Sequence, residues 1–203
     1  MSKLLSVIVC RWLLSCPKIA HNDRQTMTDN NFDIKILDLH WIKDVDDTTD
    51  LCSHGHVFVK IGNEVIADKD SLDVTTSSTG LYLMRTLKDN YKKDNFASQL
   101  LPCCGHFFMA DEENDYVNIC GCPSGIDWTI IHTDDNKIKH ISDNGQEATI
   151  DKLTYQKIVL DFADQVENFY KTSLPKTIPT DDFDKKGYLT FWKEWRNLRN
   201  EWK

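Results

Sequence analysis

The run TIDKLTYQKIVLDFADQVENFYKTS, residues 149–173, constrains the fold more than any other stretch of the chain. Ile158, Val159, Phe162, Val166, Phe169 and Tyr170 recur at i, i+3, i+4 spacing. That spacing predicts a helix over residues 151–171 with one apolar stripe and a polar back. A helix of this kind cannot bury its stripe alone, so the chain must supply a surface for it to cover.

The surface lies upstream, where the period is two. In FDIKILDLHWI, Phe32, Ile34, Ile36 and Asp38 share one parity and Lys35, Leu37 and Leu39 the other, a first strand that is apolar on much of both faces. The acidic loop KDVDDTTD follows it. In CSHGHVFVKIGNEVIADKD, Val57, Val59 and Ile61 share a face, and Gly62-Asn63 supplies a tight hairpin turn before Glu64 to Ala67 return. Leu81, Met84 and Leu87 then mark a short helical face, with hydroxyls at Thr75 to Ser78 for its N-cap and Gly80 blurring its start. Strands follow at 105–110, 116–121, 127–133 and 137–142, read as one antiparallel meander, with DEEND closing the first pair as a hairpin. After the long helix, Pro175 and Pro179 bound a loop, and Phe191, Trp195, Leu198 and Trp202 stripe a last helix that begins near Tyr188.

Helices do not alternate regularly with strands, so a doubly wound sheet is excluded. The order predicts an α+β fold: an antiparallel sheet, hairpin plus meander, covered by about three helices. Its 203 residues suit a single domain over 27–203. Residues 1–26 read first as a leader outside the native protein, with translation starting at Met27, next as a peripheral segment, and last as a weak export signal broken by Arg11. The leader's apolar run, Leu4 to Cys10, is far too short to span a bilayer.

The formal charge of −8 repels phosphate backbones, which argues against nucleic acid and suits a basic protein partner. The seven cysteines are odd in number and closely spaced, which reads as reduced thiols in a cytoplasm rather than a disulfide scaffold.

Chemistry, if the chain has any, would come from the Cys/His stretch. Cys104 and His106 share strand parity, as do Cys120 and Cys122, and Cys52, His54 and His56 share it further back. Convergence on neighbouring strands could bind zinc through Cys104, His106, Cys120 and Cys122, with Cys52 or His54 the next choice. The gaps of zero or one residue do not fit the recurrent zinc patterns, and packing thiols without a cofactor are the simpler reading. A catalytic thiol is a further option, with Cys104, Cys120 or Cys122 beside His106 or His132 and oriented by Asp127. DDFDKKGYLTFWKE resembles a calcium loop, but Lys186 and Lys193 occupy two ligand positions and exclude the ion.

The leading expectation is an acidic, inhibitor-type (immunity-like) binding protein without catalysis. The alternative is an enzyme or zinc protein built on the Cys/His cluster. Trp192, Trp195, Arg196, Arg199 and Trp202 read mainly as packing residues, with partner contact the minority reading.

Overall fold

A computed structural model describes residues 32–93, 99–103, 107–111, 113, 115–121 and 123–202. The leader therefore lies outside the described residues. The fold is α+β.

Strand β1 (Phe32–Ile36) pairs antiparallel with β3 (Val57–Ile61), and β3 forms a hairpin with β4 (Glu64–Ala67). Gly62 holds φ at +59, the left-handed conformation that its turn requires. Phe32, Ile34, Val57, Val59 and Ile61 all face inward, as their period-two spacing predicts. The His54–Gly55 strand β2 is separate. It pairs with β5 (Val74–Thr75), and His56 falls in the gap before β3. Cys52, His54 and His56 are thus not on one continuous strand, which corrects the expectation that they share a face.

Helix α1 (Thr76–Arg85) buries Leu81, Leu83 and Met84. Thr75 occupies its N-cap position but makes no side-chain cap bond. Strands β6 (Phe107–Asp111) and β7 (Tyr116–Cys120) form the expected hairpin, with Phe107 opposite Cys120 and Asp111 opposite Tyr116. They do not continue into the following strands. β8 (Thr129–Thr133), β9 (Lys137–Ile141) and β10 (Glu147–Asp151) form their own sheet in the order β10-β9-β8. The single meander is therefore two sheets, divided in the segment between β7 and β8.

Helix α2 (Lys152–Thr172) packs chiefly on α1 and also meets β1, β9 and β10, with Tyr155, Val159, Phe162, Ala163 and Val166 buried. Its stripe follows the predicted face. Helix α3 (Asp182–Glu201) packs on the β6–β7 hairpin and begins a turn and a half before Tyr188. Asp181 caps it by accepting from the N–H groups of Phe183 and Asp184, at 2.9 and 3.2 Å. The aspartates read as loop decoration are the cap and first turn of a helix, where carboxylates oppose the positive end of the helix dipole. Trp195 is buried and donates to Glu167 at 2.8 Å, so the C-terminal aromatics are chiefly packing.

One core joins the layers. Phe32 stacks on His140 with ring centroids 3.6 Å apart, and Trp128 and Tyr155 flank the same site. Trp128 donates its indole N–H to His140 Nδ1 at 3.1 Å. That bond makes Nδ1 the acceptor and places the imidazole proton on Nε2. Complete burial pushes the His140 pKa down to about 3.

Candidate interaction surface

Cys104, His106 and Cys122 lie outside the described residues. Cys120 is half-buried at the end of β7, across from Phe107. Cys52 sits elsewhere, before β2, and desolvation pushes its thiol up to about 12, followed by the charge of Asp50. Such a thiol carries no thiolate at neutral pH. His132 bonds Thr86 O through Nε2 at 2.8 Å, whereas Asp127 accepts from Tyr91 OH at 2.9 Å. The described members of the proposed triad are each engaged separately. Among the described residues no three His, Cys, Asp or Glu side chains converge as a metal site. Cys103 is disulfide-bonded, and neither Cys52 nor Cys120 is its partner. This corrects the reading of uniformly reduced cysteines.

A different surface is built from residues that sequence reading passed over. Beyond β1 the chain runs along β2: His40 and His54 exchange backbone hydrogen bonds of 3.0 and 2.9 Å. The acidic loop then folds on itself. Asp44, at φ +53, donates its N–H to Trp41 O at 2.8 Å. Asp47 Oδ1 accepts from both the N–H and the hydroxyl of Thr49, each at 2.8 Å. Asp50 closes the loop by accepting from Ile42 N–H at 2.8 Å.

A second clamp ties this loop to the segment after α2. Trp41 is only 3% exposed and packs between Phe169 and Tyr170, with centroids 4.8 and 5.2 Å away. Lys176, its side chain 5% exposed, lies over the Trp41 ring at 3.2 Å. It donates to Asp46 Oδ1 and to Asp47 O, both at 2.9 Å. Leu174 N–H and Thr177 N–H bond Asp46 Oδ2 and Thr48 O at 2.6 and 2.7 Å. The Lys176 bond and then the Leu174 bond hold the Asp46 carboxyl below its usual pKa.

Such anchoring leaves apolar side chains facing water on an ordered loop. Ile42 is 56% and Val45 62% exposed, and Leu174 and Ile178 are exposed on the pinned segment. Ile42, Val45, Asp47, Thr49 and Asp50 line a shallow depression of about 250 Å³. The rim is strongly negative. Asp38, Asp44, Asp46, Asp47, Asp50 and Asp73, taken with Lys43 and Lys176, carry a formal charge of −4, half of the chain's −8.

Three of those carboxylates surround one imidazole. His40 lies 3.4 Å from Asp73, 3.7 Å from Asp44 and 4.0 Å from Asp38. Burial alone would lower its pKa, but the Trp41 carbonyl and these three charges offset that and raise it above the usual 6.5. His56 bonds Asp38 at 2.9 Å on the same rim.

The arrangement offers no nucleophile. It offers an apolar contact inside a negative rim, which can dock a complementary surface and steer it electrostatically. The signal available in sequence was the run of aspartates interrupted by Ile42 and Val45. Its anchor, Lys176, lies far along the chain.

No helix among the described residues is long and apolar enough to cross a membrane. No protein-family model matches the chain. Searches of curated proteins and of solved structures find no match either.

Proposed function

We propose that this protein is an acidic, inhibitor-type binding protein that captures a basic protein partner through the face built from residues 38–50 and 173–178. The observation that carries the proposal is the exposure of Ile42 and Val45 on a loop held rigid by Trp41 and Lys176. An exposed branched side chain on a floppy loop must be ordered on binding, at roughly 0.5–1.5 kcal/mol per side chain. Here the backbone beneath these side chains is already fixed.

The six aspartates supply the complementary half of the argument. A negative rim accelerates encounter with a Lys/Arg-rich surface and repels acidic ones, while the apolar centre sets the lifetime of the complex. Capture should therefore weaken steeply with salt.

The test is site-specific photo-crosslinking in the native host, with a benzophenone side chain at Val45 and a control at Lys157, exposed toward the other end of α2 from the residues that hold Trp41. A basic protein attached at Val45 and absent from Lys157 is the expected product. It should disappear when Asp44, Asp47 and Asp50 are all changed to Asn. An acidic protein, a nucleic acid or no adduct at Val45 would overturn the proposal.

A further inference from the structure

A cleft of about 700 Å³ opens away from this face, between β4, the 99–101 segment and the turn joining β9 to β10. Its size falls in the range of small-molecule sites. Leu101 and Ile126 bridge its floor with a pair of backbone bonds, both at 3.0 Å.

The polar groups of the cleft are unequal. Glu64 accepts from the Ser142 hydroxyl and from Asn144 Nδ2. Lys93, the one cation among the described lining residues, is committed to Asp143. Asp127 accepts from Leu100 N–H at 3.1 Å and from Tyr91 OH at 2.9 Å. It makes no ion pair among the described residues, and desolvation pushes its carboxyl up to about 6 despite those bonds. The Trp128 N–H and the more distant charge of Lys93 also act on it, and the carboxylate, with about four lone-pair sites, retains acceptor capacity.

Gln99 is the second signal. It is 7% exposed and lines the cleft, yet its carboxamide makes no hydrogen bond among the described residues. Its amide atoms meet the solvent of the cleft, so they are open to an incoming ligand without any bond having to be broken first. Gly125 brings the Asp127 loop against it: a Cβ there would stand 3.0 Å from Gln99 Oε1. An amide without a bond among the described residues and a desolvated carboxylate without a close ion pair thus face one space.

We infer that this cleft binds an alkyl cation, a guanidinium or ammonium group on an aliphatic stem. Its charged head pairs with Asp127 and donates to Gln99 Oε1, and its stem lies on Val65 and Ile126. The site uses other elements than the 38–50 face and does not depend on the function proposed there. The same chemistry could arrive as a free amine or as an Arg or Lys side chain of another protein.

The experiment titrates the full chain with n-butylguanidinium and, in parallel, with its neutral isostere n-butylurea, followed by amide NMR shifts. The guanidinium should saturate and move residues 64–66, 99–101 and 125–127, with the urea at least about tenfold weaker. Affinity should fall about tenfold from pH 7 to pH 5 as Asp127 takes up its proton. Val65→Arg, at an exposed strand position, places a cation in the cleft and should abolish binding with an unchanged melting temperature. A Gly-Arg-Gly peptide separates the sources: comparable or tighter binding indicates a protein side chain, and exclusion indicates a free small cation. Equal binding of butylurea, or no saturation at about 10 mM, overturns the inference. Undiminished affinity in a folded Asp127→Asn variant overturns it as well.

Discussion

Two shielded cations organise different parts of this molecule, and they are used differently. Arg85 bonds Glu194 through Nε and Nη2 at 2.7 and 2.9 Å, bonds Val117 O at 2.6 Å, and lies over the Tyr116 ring at 3.9 Å. Glu194 in turn accepts from Val117 N–H at 2.8 Å. One ion pair therefore joins α1, β7 and α3, with every element it touches contributing to the core. Lys176 has a similarly shielded ammonium, but it secures a loop whose apolar residues face outward. A buried charge welds the interior in the first case and displays a surface in the second.

The largest effect expected from this contrast is at Glu194. Glu194→Ala strands the Arg85 charge among α1, β7 and α3 and should cost about 3–5 kcal/mol in urea unfolding. A loss below about 1 kcal/mol would mean that water already reaches the pair.

The histidines carry the same contrast into pH. His140 is buried neutral, with a folded pKa of about 3 against the usual 6.5. The unfolded chain binds a proton that the folded chain refuses. Stability is thus complete above about pH 6.5 and falls as the pH drops towards 3, by a total on the order of 4 kcal/mol. His140→Gln keeps an acceptor for Trp128 without titrating, so its stability should change less over that window. His40 has the opposite sign. Its raised pKa contributes stability in acid that is lost as the pH rises through that value. On protonation it also cancels part of the negative rim, so capture of a basic partner should weaken on acidification through that raised pKa.

Smaller and more local is Lys176→Met. The aliphatic stem stays over Trp41 while the bonds to Asp46 and Asp47 disappear. Exchange of the Leu174 and Thr177 amides should accelerate at least about tenfold, with core amides in α2 unchanged. Uniform acceleration would show that Lys176 belongs to the global fold.

Smallest for stability are Ile42→Ser and Val45→Ser. Neither should move the unfolding free energy by more than about 0.5 kcal/mol, yet co-purified partner should fall at least about tenfold. A stability loss above 2 kcal/mol would mean that these side chains support the loop from within.

Several parts of the architecture were legible because a single short-range rule governed them. The 57–67 hairpin follows from strict alternation and a glycine turn, and α2 from an uninterrupted 3.6-residue stripe. Strand β10 went unread, between the last predicted strand and the helix. Its five residues bury only Ala148 and Ile150, too few to separate a period of two from the start of a helix. The first turn of α3 was read as loop because its exposed aspartates and lysines carry no apolar period. The division between β7 and β8 leaves no mark in either strand's alternation. The cleft was half legible: Asp127 was noticed as an orienting carboxylate, but Gln99 and Glu64 carried no motif.

Sequence alone determined the class of fold, the partition of apolar faces and the excess of negative charge, because each depends on residue type and on spacing within one element. Only the tertiary structure decided which of the acidic and apolar residues act together. Asp46 meets Lys176 and Leu174 after more than 120 residues of intervening chain, and Gln99 meets Gly125 across two loops. Those encounters are set by how separate layers pack, and packing fixes distances that no local period encodes. The same packing places Ile42 and Val45 in solvent on a rigid loop, where an alternation of apolar and polar residues would have assigned them either role.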